Sequence, residues 1–71
     1  MNPSQSRLRV HLKEMLARRN ITQTALADAV GIHPTNLSNL ATGNVAFIRL
    51  STLAAICREL DCQPGDLLTY E

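Results

Sequence analysis

The fold is decided by residues 22–43, which read TQTALADAVGIHPTNLSNLATG. Thr22 is a good helix N-cap, and Gly31 suits the left-handed conformation that follows many helices. Pro34 fits the first position of a helix because its missing N–H would have no partner there. The stretch therefore predicts two short helices joined by a turn, one at about Gln23–Val30 and the next beginning at Pro34.

The sequence on either side of this stretch predicts three further helices. A first helix at about Ser6–Arg19, ended by Asn20, carries one apolar stripe at helical spacing, made of Leu8, Leu12, Met15 and Leu16. After a loop over residues 43–50, Ser51 is the expected cap of a fourth helix, whose stripe is Leu53, Ile56, Cys57 and Leu60. Residues 63–68 begin with Gln-Pro-Gly and predict a last short turn of helix. No strand pattern is present, so the fold class we expect is all-α, a compact bundle of five helices.

Length and composition predict one domain with a small core. A chain of 71 residues is too short for two domains, and Leu, Ile, Val and Phe make up 19 of them, enough for collapse. We expect a polar N-terminal arm at residues 1–7, a domain at 8–68 whose central two-helix unit spans about 22–42, and a tail at 69–71. The angle between the two central helices should be filled by Ala27, Val30, Ile32, Leu37 and Leu40.

The sequence also argues against several protein classes. Its longest apolar runs are far shorter than the ~20 residues of a membrane span, so we expect no membrane contact. Its first six residues lack the apolar stretch of a signal peptide, so we expect a cytoplasmic protein. Cys57 and Cys62 lie five positions apart and are expected to stay reduced. The spacing of His11 and His33 relative to the cysteines suggests no metal site. A core this small leaves little space for a pocket, so we expect neither an enzyme nor a cofactor or small-molecule substrate.

Charge is distributed unevenly along the chain. Residues 1–49 hold six Lys and Arg against two acidic residues, a net charge of +4, whereas residues 50–71 carry a net charge of −3. The basic part suits a nucleic acid, although it would equally attract an acidic protein partner. Charge and helix lengths alone therefore leave DNA binding and other functions open.

A family resemblance narrows the choice. Two short helices joined by a turn that contains Gly form the helix-turn-helix arrangement, whose second helix enters the major groove of DNA. The stretch 22–43 resembles the helix-turn-helix of phage Cro and lambda-type repressors, also called the XRE family, and its matching residues include Leu37, Ser38 and Leu40. The similarity spans about residues 8–68, and Leu50–Leu68 matches the last two helices of the family.

The resemblance implies double-stranded DNA as the partner and assigns contacts to individual residues. The outward face of the second helix of the motif would read base edges through His33, Pro34, Thr35, Asn36 and Asn39. Contacts to the sugar-phosphate backbone would come from Gln23, Thr42, Asn44 and Arg49. Thr35 and Asn39 match family positions that read bases, and His33 could donate or accept a hydrogen bond. Asn36 could instead point to solvent, and Gln23 could be an ordinary helix-start residue.

The sequence departs from the family pattern in charge and in one aromatic residue. No charged residue lies between Ala29 and Ile48, where relatives usually carry Lys and Arg, so DNA affinity should be reduced. The cations that remain for phosphate contacts are Arg7, Arg9, Lys13, Arg18, Arg19 and Arg49, several of which could face away from the DNA. Leu16 and Ala41 replace a buried Arg–Glu pair of some relatives, which leaves no charge unpaired. Phe47 stands in a loop that is usually basic, where it could seal a dimer or another protein contact, or fold back onto the core.

The resulting hypothesis is a DNA-binding transcriptional regulator. We expect a weak homodimer, tightened by DNA, that represses by occupying a pseudo-palindromic operator with half-sites ~34 Å apart. Such a protein would be associated with the nucleoid when it is bound to DNA. The uncharged reading face and Phe47 favour an alternative, a protein-interaction module such as an antitoxin or regulator subunit with weak DNA affinity.

Overall fold

The computed structural model describes residues 7–71 and confirms the five expected helices. A short antiparallel sheet, made of one strand from each end of the described chain, accompanies them. In chain order the elements are β1 (Leu8–Val10), α1 (Leu12–Arg19), α2 (Gln23–Val30), α3 (Pro34–Ala41), α4 (Leu50–Leu60), α5 (Pro64–Leu67) and β2 (Leu68–Tyr70). Residues 1–6, most of the predicted N-terminal arm, lie outside the described residues. None of the helices in residues 7–71 is both long and apolar enough to span a bilayer.

The two strands correct the prediction for both ends of the domain. The first helix begins at Leu12 and not near Ser6, because residues 8–10 pair with residues 68–70 as β1 and β2. Leu8 consequently lies outside the helical stripe and is 55% exposed. Residues 69–71, expected to form a tail, include two of the three residues of β2. Strands of three residues are too short to show the alternation that predicts a strand, so the sequence pattern could not indicate them.

Local capping determines where the two central helices begin and end. Thr22 Oγ1 accepts the N–H of Ala25 at 3.1 Å, and Gly31 ends α2 with a φ of 81°. At the start of α3, His33 Nδ1 accepts the N–H of Thr35 at 3.1 Å. The predicted cap at Thr22, the helix end at Gly31 and the helix start at Pro34 are therefore confirmed.

Helix α4 begins earlier than its sequence predicts. Arg49, in an extended conformation, is its N-cap and makes no side-chain hydrogen bond to the helix, and Leu50 is its first residue. Ser51 lies inside the first turn, so the prediction that it caps this helix is wrong. The loop before α4 spans residues 42–49, one position earlier than predicted, because α3 ends at Ala41, two residues before the left-handed Gly43.

The core lies where the five helices meet. Ala27 and Leu37 are fully buried and Leu40 is nearly so, as predicted, whereas Val30 and Ile32 are half-buried at the margin. No polar or charged residue of the described chain is buried, so the interior is entirely apolar. The buried cluster consists of Leu12, Met15, Leu16, Leu26, Ala27, Leu37, Leu40, Ala41, Ile56, Leu60 and Leu67.

Candidate nucleic-acid interface

Helix α3 presents its polar side chains to solvent. Leu37 and Leu40 are buried, and the five residues predicted to contact bases, His33, Pro34, Thr35, Asn36 and Asn39, are all exposed. Residues three and four apart lie on the same side of a helix, so Asn39 shares a face with both Asn36 and Thr35. The arrangement is one uncharged surface that carries two amides, a hydroxyl and an imidazole.

An open groove lies between α3 and the loop that precedes α4. Its volume is about 570 Å³, and its apolar lining includes Ile32, Leu40, Val45, Phe47 and Ile48. Its polar lining includes His33, Asn36, Asn39, Arg49 and Thr52. The sequence left open whether the Asn36 side chain faces DNA or only solvent; in the structure Asn36 lines the same groove as Asn39. Arg49, the N-cap of α4, lines the same groove as these amides.

The start of α3 constrains the ring of His33. Because Nδ1 accepts the N–H of Thr35, the proton of the neutral ring lies on Nε2. Nε2 is then a hydrogen-bond donor for an acceptor such as guanine N7 or a phosphate oxygen. Of the two roles considered for this ring, donation is the one that the geometry favours.

The remaining residues predicted to contact the DNA backbone lie outside the groove lining. Gln23 is half-buried at the first position of α2, where backbone N–H groups have no acceptor within the helix. Asn44 is exposed, and only its backbone N–H is engaged, by the carbonyl of Asn39 at 2.8 Å. Thr42 Oγ1 donates to the carbonyls of Asn39 at 3.0 Å and Ser38 at 3.2 Å. Its hydroxyl must rotate out of this bond before it can donate to a phosphate.

Two of the predicted cations are brought to the acidic end of the chain by the sheet. Arg7 Nε donates to the backbone carbonyl of Glu71 at 2.7 Å, and Arg9 Nε lies 3.3 Å from the Glu71 carboxylate. Positive and negative charges are therefore neighbours where the two strands pair, and the separation of charge along the sequence is not kept there. The charge of residues 1–49 therefore does not form one basic surface, because Arg7 and Arg9 contact Glu71.

A third cation, Arg19, is engaged in holding two helices together. Its Nε donates to the carbonyl of Leu60 at 2.7 Å and its Nη2 to that of Asp61 at 3.0 Å, at the C-terminal end of α4. Sequence reasoning treated this side chain as an available charge, and no local pattern indicates a contact 41 residues away. Among the described cations of residues 7–49, those without an ion pair or side-chain hydrogen bond in the structure are Lys13, Arg18 and Arg49.

Two large apolar side chains are exposed, Phe47 in the lining of the groove and Leu50 at the start of α4. Phe47 is 82% exposed, so it does not fold back onto the core, which was one of its two interpretations. Leu50, three residues further, is 80% exposed and was not identified from the sequence. Its spacing from Leu53 suggests a place on the buried stripe of α4. As the first residue of that helix, however, it extends past the end of the core.

Known proteins share this architecture. A family model described as the Cro/C1-type HTH DNA-binding domain matches residues 11–71. The chain is 51% identical over 61 residues to the Bacillus subtilis (strain 168) protein named "Uncharacterized HTH-type transcriptional regulator YozG", a match that covers 86% of this chain and 73% of that protein. The crystal structure of the transcriptional regulator VanUg is similar with a TM-score of 0.74 and 26% identity, over 92% of this chain and 85% of that one.

Proposed function

Because the chain belongs to the Cro/C1-type helix-turn-helix family of DNA-binding domains, we propose that it regulates transcription by reading a specific double-stranded site with the outward face of α3. The observation that carries this proposal is that all five predicted base-contacting residues are exposed, at the start of a helix and along it, while Leu37 and Leu40 of the same helix are buried. Asn36 and Asn39 can each pair with adenine through N6 and N7, and the Thr35 methyl group can contact thymine. Such contacts discriminate between bases without requiring charge.

Phosphate contacts are the weaker part of the interaction. Residues 30–48 contain no Lys or Arg, and Arg49, which directly precedes α4, is the cation that lines the groove with Asn39. Neutral donors at Gln23, Asn44 and Thr42 would then position the duplex, with less release of counterions than in a basic protein. We therefore expect modest affinity and a shallow dependence of affinity on salt.

Replacement of Arg49 by Gln tests the proposed function. If this guanidinium neutralises one phosphate, the slope of log affinity against log salt should become less negative by about 0.9. Arg58→Gln is the matched control, because Arg58 is exposed in the last turn of the same helix and should leave the slope unchanged. Binding of both variants to a selected duplex and to random duplex would be measured over a salt series. Equal slopes for the wild type and Arg49→Gln, or no preference of the wild type for any sequence, would contradict the proposal.

The finer parts of the proposal are dimerisation and repression. Helix-turn-helix proteins of this type bind pseudo-palindromic operators as dimers, and we expect the same here, with half-sites one helical turn, ~34 Å, apart. Phe47 and Leu50 support self-association, because both are large, apolar and at least 80% exposed, and they lie three residues apart in the chain, so that together they would form an apolar patch. A cytoplasmic dimer bound over a promoter would repress by excluding polymerase.

Self-association should depend on Phe47. We expect sedimentation equilibrium to show a weak reversible dimer whose dissociation constant rises at least about tenfold in Phe47→Ala, the effect of removing an aromatic anchor from an interface. Tyr70→Ala is the control, because Tyr70 is 74% exposed but lies in β2. A dimer that survives Phe47→Ala, or one weakened equally by both changes, would place the interface elsewhere.

A protein-interaction module with weak DNA affinity is the second candidate function. The absence of Lys and Arg from residues 30–48 and the exposed pair Phe47 and Leu50 favour it. The salt series distinguishes the two functions, since such a module would show a flat, sequence-blind response, whereas a regulator would show a negative slope and a preferred site.

A further inference from the structure

The two cysteines meet at the C-terminal end of α4. The N–H of Cys62 donates to the carbonyl of Cys57 at 3.0 Å, and the N–H of Asp61 donates to that of Arg58 at 3.3 Å. Asp61 between them is left-handed, with φ 50° and ψ 56°. These bonds define a Schellman motif, in which the side chains at the two ends of the longer bond commonly touch. Here those two positions carry the thiols of Cys57 and Cys62.

From this geometry we infer that Cys57 and Cys62 form a redox-modifiable pair that closes to an intramolecular disulfide when a hydroperoxide reaches the protein. Five positions of separation in the sequence gave no reason to expect a bridge, but the left-handed turn at Asp61 folds the chain back so that the thiols converge. Both cysteines are half-buried, so a small oxidant can reach them. Neither is needed for the proposed contacts with DNA.

The reaction is a two-electron oxidation of the pair. One thiol gives up its proton and the thiolate attacks an oxygen of hydrogen peroxide; the O–O bond breaks to give a sulfenic acid and hydroxide, and the hydroxide takes up the released proton as water. The second thiolate attacks the sulfenic sulfur, the S–S bond forms, and hydroxide leaves and takes up a proton. Two thiols and one hydrogen peroxide thus give one disulfide and two waters, with the two sulfurs oxidised and the peroxide reduced.

The surroundings of Cys62 slow its oxidation. Partial burial, followed by the neighbouring Cys57 thiol and Asp66, raises the pKa of the Cys62 thiol, while the guanidinium of Arg19 acts in the opposite direction. Arg19 is held at this place by its hydrogen bonds to the end of α4. Cys62 is therefore a thiol at neutral pH, and oxidation should be slow without a strong oxidant and faster at alkaline pH.

The inference can be tested by measuring the thiol–disulfide equilibrium of the protein in glutathione buffers, both folded and unfolded in urea. We expect the ratio of intramolecular disulfide to dithiol to be at least about tenfold higher in the folded protein than in concentrated urea, a difference of about 30 mV in reduction potential. Because the coupling is reciprocal, the oxidised protein should also unfold at a higher urea concentration than the reduced one. A ratio that is equal or lower in the folded protein would overturn the inference.

Peroxide treatment gives an independent readout of the product. Cleavage after Arg58 separates the two cysteines, so the expected product is peptide 50–58 linked to peptide 59–71 within one chain. Cys57→Ser and Cys62→Ser are the matched controls, and the remaining thiol of each should gain oxygen atoms or link two chains. If the wild type also gives mainly sulfinic acids or disulfides between chains, the cysteines do not act as a pair.

Discussion

Replacement of Ala27 by Leu should greatly destabilise the fold and abolish DNA binding, whereas Ala29→Leu, two residues away on the same helix, should do neither. Ala27 is fully buried, while Ala29 is exposed. Three additional carbons at position 27 would have to displace core side chains of α3, such as Leu37. Overpacking of a filled core costs about 1–3 kcal/mol and sometimes more. Small domains have only ~5 kcal/mol or a little more to lose.

The same substitution should also disturb the geometry of the reading helix. The carbonyl of Ala27 accepts the N–H groups of Gly31 at 2.9 Å and Ile32 at 3.0 Å, so its position determines how the chain turns from α2 into α3. A displaced Ala27 therefore moves α3 relative to α2, and the molecules that remain folded should bind poorly. Urea unfolding followed by circular dichroism, together with binding to a selected duplex, would measure both effects. A change in unfolding free energy below about 0.5 kcal/mol for Ala27→Leu, the range typical of surface substitutions, would mean that α2 and α3 do not pack as described.

The double variant Thr35→Ala, Asn39→Ala should lose most of its preference for the selected site. Each bidentate contact between a side chain and a base contributes about 1–3 kcal/mol of discrimination, so removing Asn39 should reduce specificity by roughly tenfold or more. Loss of the Thr35 methyl contact should reduce it further. Neither side chain makes a hydrogen bond within the described part of the chain, so helicity and stability should stay near those of the wild type.

Asn44→Ala provides the matched comparison for that result. Asn44 is exposed beyond the end of α3 and is proposed to contact the sugar-phosphate backbone, so its loss should weaken selected and random duplexes by the same factor. Competition binding with both duplexes would separate the two effects. If the double variant loses affinity equally for both duplexes, or if Asn44→Ala alone changes the preferred sequence, the division between base and backbone contacts is wrong.

The motif at the centre of the fold could be predicted because its signals are local. Thr22, Gly31 and Pro34 act on backbone groups within a few residues, and each lies at the helix boundary that it predicts. Ala27 could also be assigned, since close packing of two short helices demands a small residue at their contact. The Ser51 cap was wrong because a good capping residue also occurs inside first turns, and Arg49 begins α4 without any side-chain bond.

The features that sequence reasoning missed depend on contacts between distant parts of the chain. The pairing of Arg9 with Thr69 in the sheet and the bonds from Arg19 to the end of α4 join positions 41 to 60 residues apart. These contacts determine which cations remain available, so the charge of the surface could not be derived from the charge of the sequence. The Thr42 hydroxyl likewise donates to carbonyls of α3, a contact that the sequence prediction did not take into account.

Amide chemical-shift mapping of the labelled protein with a selected duplex tests most directly whether α3 reads DNA. We predict that the largest shifts fall on residues 33–44, with smaller ones at Gln23 and Arg49, and that random duplex of the same length shifts them less. Shifts centred on the β1–β2 sheet or on the end of α4, with α3 unaffected at saturating duplex, would contradict the assignment of the reading face.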